Sequence, residues 1–172
     1  MVSRPLGLFV LVAAAGLWAT GATPARAQDD EIEAMAAALK DTTFTLQDGL
    51  KASEVKGQPI SAQFEIDDGK LQVSVYTAKG DDFSEVVADP KTGAVVKSEK
   101  ITDTDELSDA ADEKAAMAKA KTSLSAAADA AVKDNAGFRA VSIFPDLRDG
   151  HAIAEVTLLQ GTTAKKVTEK LD

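Results

Sequence analysis

From Ile60 onward, apolar residues fall on every second position of the chain. Ile60, Ala62, Phe64 and Ile66 alternate with Ser61, Gln63, Glu65 and Asp67, which predicts a strand with one apolar face. Asp68-Gly69 supplies a tight two-residue turn, and Leu71, Val73 and Val75 carry the apolar face of the returning strand. After the polar turn at 79–82, a third strand is expected from Phe83 to Ala88. Asp89-Pro90-Lys91-Thr92-Gly93 then combines a Pro that pre-sets φ with a Gly that accepts positive φ, and 94–101 closes a four-stranded meander. A sheet with one apolar face requires a helix to cover it.

The helical period appears elsewhere. Ile32, Met35, Ala36 and Leu39 share a face of a short amphipathic helix within 29–41, with acids in its first turn. A second helix is expected from the cap Thr45, with Leu46 and Leu50 on one side and Gly57 and Pro59 as its stop. The acidic stretch 102–112 reads as a linker passing into a helix through Ala115, Met117 and Ala118. Ser123 caps an Ala-rich helix ending near Gly137, and strands are expected at 141–147, 151–159 and about 164–169.

These elements recur at an offset of 81. Ser61, Asp68, Gly69, Val75, Gly80 and Val86 align without a gap on the identical Ser142, Asp149, Gly150, Val156, Gly161 and Val167. The inward set Ile60, Ala62, Phe64, Ile66 falls on Val141, Ile143, Pro145, Leu147, so pleat and register are expected to match. Upstream the offset is 78, which pairs Thr45 with Ser123 and Leu46 with Leu124. The second copy stops at Asp172, opposite Lys91, and lacks a counterpart of the 89–93 turn and the strand beyond it.

Composition sets the compartment. Arg4 precedes an apolar run from Leu6 to Trp18, and Ala25-Arg26-Ala27 has the small-x-small form of a cleavage site, so 1–27 reads as a signal peptide cleaved after Ala27. The apolar run, about 13 residues, is well short of the roughly 20 needed to span a bilayer. The product is expected in the periplasm or secreted, without a membrane span. Removing Arg4 and Arg26 from 19 basic residues leaves 17 against 28 acidic ones, a net charge of −11. Such a surface disfavours nucleic acid, whose binding depends on Lys and Arg displacing counterions. With no Cys there is no disulfide framework and no thiolate metal site.

With these residues assembled, each copy resembles the PepSY domain. The likeness rests on Thr45-Leu46 with Leu50 opening a helix, on Gly57, on the hairpin Asp68-Gly69-x-Leu-x-Val-x-Val, and above all on Glu85-Val-Val-Ala-Asp89-Pro-Lys-Thr-Gly93-Ala-Val-Val. It covers 45–101 well. The second copy, 123–172, is similar but lacks the Asp-x-x-Thr-Gly turn. The resemblance implies an α+β protein of two tandem PepSY-like repeats, each a helix packed on an antiparallel β-meander, the second truncated. The remaining chain divides into an N-terminal helix and lead-in, 28–44, and an acidic linker and helix, 102–122. It also implies an exported, non-enzymatic protein that binds and regulates or inhibits a peptidase or another envelope protein. The alternative is a small-ligand or metal-ion binding module using the acidic surface or a groove between repeats. The open edge of the shortened copy would also suit pairing with a second copy, as a homodimer.

No catalytic, cofactor or metal residue is assigned from the sequence. His151 is the only His, follows the Asp149-Gly150 turn and aligns with Lys70 of the first copy, so it reads as an exposed residue at a strand start. Asp103, Asp105, Glu106, Asp109, Asp112 and Glu113 suggest calcium, but a loop starting at Asp103 would place Ser108 where Gly is required and Lys114 where Glu is required. They read as a solvated linker and helix start with weak attraction for cations. Asp67-Asp68 and Asp81-Asp82 are ordinary turn residues.

Overall fold

The computed structural model describes residues 25–172. The segment read as a signal peptide lies outside the described residues, apart from its last three, which open the first helix. The order is α1 (Ala25–Leu39), α2 (Leu46–Ser53), β1 (Gln58–Asp67), β2 (Lys70–Lys79), β3 (Asp82–Ala88), β4 (Val95–Lys100), α3 (Thr104–Met117), α4 (Leu124–Asp134), β5 (Arg139–Arg148), β6 (His151–Gln160) and β7 (Thr163–Lys170). The seven strands form one antiparallel sheet, β4-β3-β2-β1-β5-β6-β7, so the protein is α+β with both halves of the chain in a single sheet.

The join is β1 against β5, with Ala62 opposite Ile143 and Gln63 opposite Ser142. In each half this strand is the edge of its own meander. Pairing the two joins these edges over a short stretch and places Ala62 and Ile143 on the same face. Positions 81 apart take matching conformations. Asp68 and Gly69 turn with φ of 49° and 74°, Asp149 and Gly150 with 53° and 82°, as a two-residue turn with both φ positive demands. A bulge falls between Pro59 and Ser61 in β1 and between Ala140 and Ser142 in β5. Pro59 therefore belongs to the strand, at a bulge where its missing N–H is tolerated, and α2 ends earlier, at Ser53.

The apolar face of the sheet is the one the alternation predicts, except that Leu147, expected inward, is exposed beside the β5–β6 turn. Ala62, Phe64, Val73 and Val75 are at most 3% exposed, as are Ile143 and Val156 across the join, and α2 and α4 lie side by side over them. A Cβ on Gly49 would sit 2.6 Å from Val73 Cγ1, so that glycine sets how closely α2 approaches the strands. Thr45 Oγ1 accepts from the Asp48 N–H while Asp48 Oδ2 accepts from the Thr45 N–H, a reciprocal cap. Ser123 caps α4 by a single bond from the Ala126 N–H.

The opposite face differs from expectation. The stretch 102–112 is not a linker: α3 starts at Thr104, and Asp103 caps it by accepting from the N–H groups of Asp105 and Glu106. Its buried stripe is Ala110, Ala116 and Met117. This helix crosses the centre of the sheet, against β1, β5, β6 and β2, on the polar side of the strands. Ser61 and Ser74, expected to face solvent, are fully buried. Lys114 Nζ donates to Gly80 O at 2.7 Å and lies 5.6 Å from the Phe83 ring centre, fixing the helix to the β2–β3 turn.

Two further contacts close the chain. Arg139 donates to Leu39 O, Thr42 O and Phe44 O at 2.8, 3.0 and 2.8 Å, tying the α1–α2 connection to the second half of the sheet. Leu171 is fully buried; its N–H reaches Ala152 O and its carbonyl accepts from the N–H groups of Lys121 and Thr122.

Candidate functional site

Between α3 and the sheet lies a cavity of about 680 Å³, within the range of small-molecule sites. Its floor comes from both halves: Gln63 and Tyr76 from β1 and β2, Ser142 and Phe144 from β5, Glu155 and Thr157 from β6. These residues share the polar face because Tyr76 lies opposite Ser61, Phe144 opposite Glu155 and Ser142 opposite Thr157 in the ladders. Val141, beside the β5 bulge, adds apolar surface, as does Leu159. From α1, Glu31, Ile32 and Met35 line one side, and from α3, Glu106, Asp109, Ala110, Asp112 and Glu113 form the roof. Three of these acids are spaced i, i+3, i+7 along the helix, which puts them on one face.

Glu113 reaches furthest in. The residue is half-buried as a whole, but its carboxyl group is the inward end, with Oε2 accepting from Ser61 Oγ at 2.7 Å. Burial, reinforced by Asp109, pushes this carboxyl up to about 8, against the pull of the Ser61 hydrogen bond. At neutral pH the group is mainly protonated. Glu106 is raised by burial and by Asp103 and Asp109. Burial also raises Tyr76, with Glu85, Glu106, Glu65 and Glu113 acting in the same direction.

A second acidic pair flanks the cavity on the same face. Glu65 Oε1 accepts from Gln72 Nε2 and Ser74 Oγ, and burial raises Glu85, opposite Tyr76. At the far rim Arg148 Nη2 donates to Glu155 Oε1 at 2.7 Å and lies 3.8 Å from Asp146 Oδ2, which compensates those two acids. Lys166 is the one basic residue of the lining among the described residues. Among the described residues no three ligating side chains are grouped so as to hold a metal ion.

His151 stands at the start of β6, its side chain 73% exposed, with Nδ1 2.6 Å from Asp172 Oδ2. It is not part of the cavity lining, so no imidazole joins Ser61 and Glu113. Of the six acids singled out between 103 and 113, the fold separates the roles: Asp103 is a cap, Asp105 is an exposed first-turn residue, and Glu106, Asp109, Asp112 and Glu113 line the cavity. Ser61 and Tyr76 carry no sequence signal for this site, since each alternates as an ordinary outward strand residue. The i, i+3, i+7 spacing of Glu106, Asp109 and Glu113 is the trace the sequence does hold.

Among the described residues no helix is long and apolar enough to cross a membrane. Compared with known proteins, the chain matches no family model, no curated protein and no solved structure.

Proposed function

We propose that the chain is an exported binding protein of two PepSY-like units which holds a small ligand beneath α3 and performs no chemistry on it. The observation that carries this reading is the cavity, floored by strands of both halves and roofed by α3, which lies outside both units. The matching turns and bulges 81 residues apart support the tandem PepSY reading, and the 1–27 pattern supports delivery to the periplasm or beyond. A neutral apolar dye such as N-phenyl-1-naphthylamine is expected to brighten on the native protein. Ser142→Phe, which adds bulk on the half-exposed floor, should abolish the signal while leaving the circular dichroism unchanged. Equal brightening by both proteins, or by neither, would refute the cavity as the binding site.

A second reading is carried by a different surface. β4 is an edge strand whose Val96 is 61% exposed, a place where a protein partner such as a peptidase could add a strand. Lys97 and Lys100 on β4, and Lys165, Lys166 and Lys170 on the other edge, oppose addition of a like strand and favour an acidic one. Capture of an envelope peptidase that is lost with Val96→Lys would support this role; capture unaffected by the substitution would place the partner elsewhere.

A further inference from the structure

Resting on the ligand-binding reading above, we infer that the cavity selects an amphipathic organic cation, with its hydrocarbon body on the sheet and its ammonium group beneath the acids of α3. Two properties of the lining combine to give this class. The body of the site is apolar and aromatic, with Phe144, Val141, Leu159 and Met35 offering surface for a hydrocarbon. The roof carries the carboxylates Glu106, Asp109 and Asp112, with the mainly protonated Glu113 beside them, while at the far rim Arg148 pairs with Glu155.

The geometry separates this ligand from its competitors. A bare metal ion requires several oxygens converging within bonding distance, and among the described residues no such group exists. A quaternary ammonium is weakly hydrated and spreads its charge over its methyl groups, so carboxylates spaced along a helix face can attract it without coordinating it, and the lining includes two aromatic rings, Tyr76 and Phe144. An anion would enter a site where three carboxylates of α3, Glu106, Asp109 and Asp112, outnumber Lys166 among the described lining, and would meet net repulsion. A neutral apolar ligand would use the floor and leave the roof idle.

Calorimetry with three probes of one chain length, decyltrimethylammonium, decanol and decyl sulfate, each kept below micelle formation, tests the inference. The cation is expected to bind about tenfold or more tightly than decanol, with the advantage shrinking in high salt, because the attraction is Coulombic and partly exposed. Decyl sulfate should bind weaker than decanol. The double variant Glu106→Gln, Asp109→Asn is expected to remove most of the cation's advantage and leave decanol affinity unchanged, since neither side chain forms the apolar floor. Equal affinity for cation and alcohol, a preference for the sulfate, or a cation advantage that survives the double variant would overturn the charge selectivity while leaving the cavity reading intact. Absence of binding by all three probes would overturn both.

Discussion

The two faces of the sheet are made by the same strands yet serve different ends. Beneath α2 and α4 the side chains are aliphatic and closely packed: Leu46, Ile60, Ile143, Val156 and Leu158 are fully buried or within 1% of it, with Gly49 letting the helix settle on Val73. Beneath α3 the same strands offer Ser61, Gln63, Tyr76, Ser142 and Glu155, and an Ala-rich helix stands over them without filling the space. A small-residue helix on a polar sheet face cannot interdigitate as leucines do. The difference between a packed core and a cavity therefore lies in side-chain size and polarity, with backbone topology held constant.

The comparison breaks most decisively on the packed side. Ile143→Ala is expected to destabilise the protein by about 2–5 kcal/mol, read from urea unfolding, because it opens a cavity at the join of the two halves. An effect below about 1 kcal/mol would mean that the join is not part of the cooperative core.

On the cavity side the expected response is to pH. Glu113 is raised in the folded protein to about 8 from an ordinary 4.5. Below 4.5 the carboxyl is protonated in both states and carries no penalty. As pH rises from 4.5 to 8 the unfolded chain releases its proton while the folded one retains it, so stability falls across that window and levels off above it. Glu113→Gln should flatten this part of the profile and be more stable than the parent at pH 8, by at most a few kcal/mol given the partial exposure of the residue. A parallel pH profile for both proteins would show that Glu113 is solvated.

Arg139→Ala tests how the α1–α2 connection is held to the second half. Loss of three hydrogen bonds to Leu39, Thr42 and Phe44 is expected to lower stability by about 2 kcal/mol, and Arg139→Lys should recover little because an ammonium cannot reach three carbonyls in a fixed fork. A smaller contrast separates the helix caps. Thr45→Ala should cost about 1 kcal/mol or slightly more and Ser123→Ala somewhat less, since only Thr45 has the reciprocal bond from Asp48. The smallest effect is expected from His151→Ala, within about 0.5 kcal/mol, because the side chain is largely exposed, where its pairing with Asp172 contributes little.

Much of the packed face was legible beforehand. The period-two runs, the Asp-Gly turns and the caps at Thr45 and Ser123 all lie where the sequence pattern places them, because each depends on neighbours a few residues away. The start of α3 was not: its buried stripe is mainly alanine, which carries little periodic contrast, and its acids read as solvent-facing. The cavity was illegible for the same reason. Ser61 and Glu113 lie 52 residues apart and look ordinary until the helix crosses the sheet.

By itself, then, the sequence determined the strands, the turns, the apolar face and the 81-residue correspondence, since these follow from local backbone preferences and side-chain periodicity. Only the tertiary structure decided that β1 would pair with β5 to make one sheet, that α3 would cover the polar face, and that Glu113 would be withdrawn from water. Those outcomes depend on which free edges and weakly patterned surfaces meet across the molecule, where burial of many groups at once outweighs what any short stretch prefers alone.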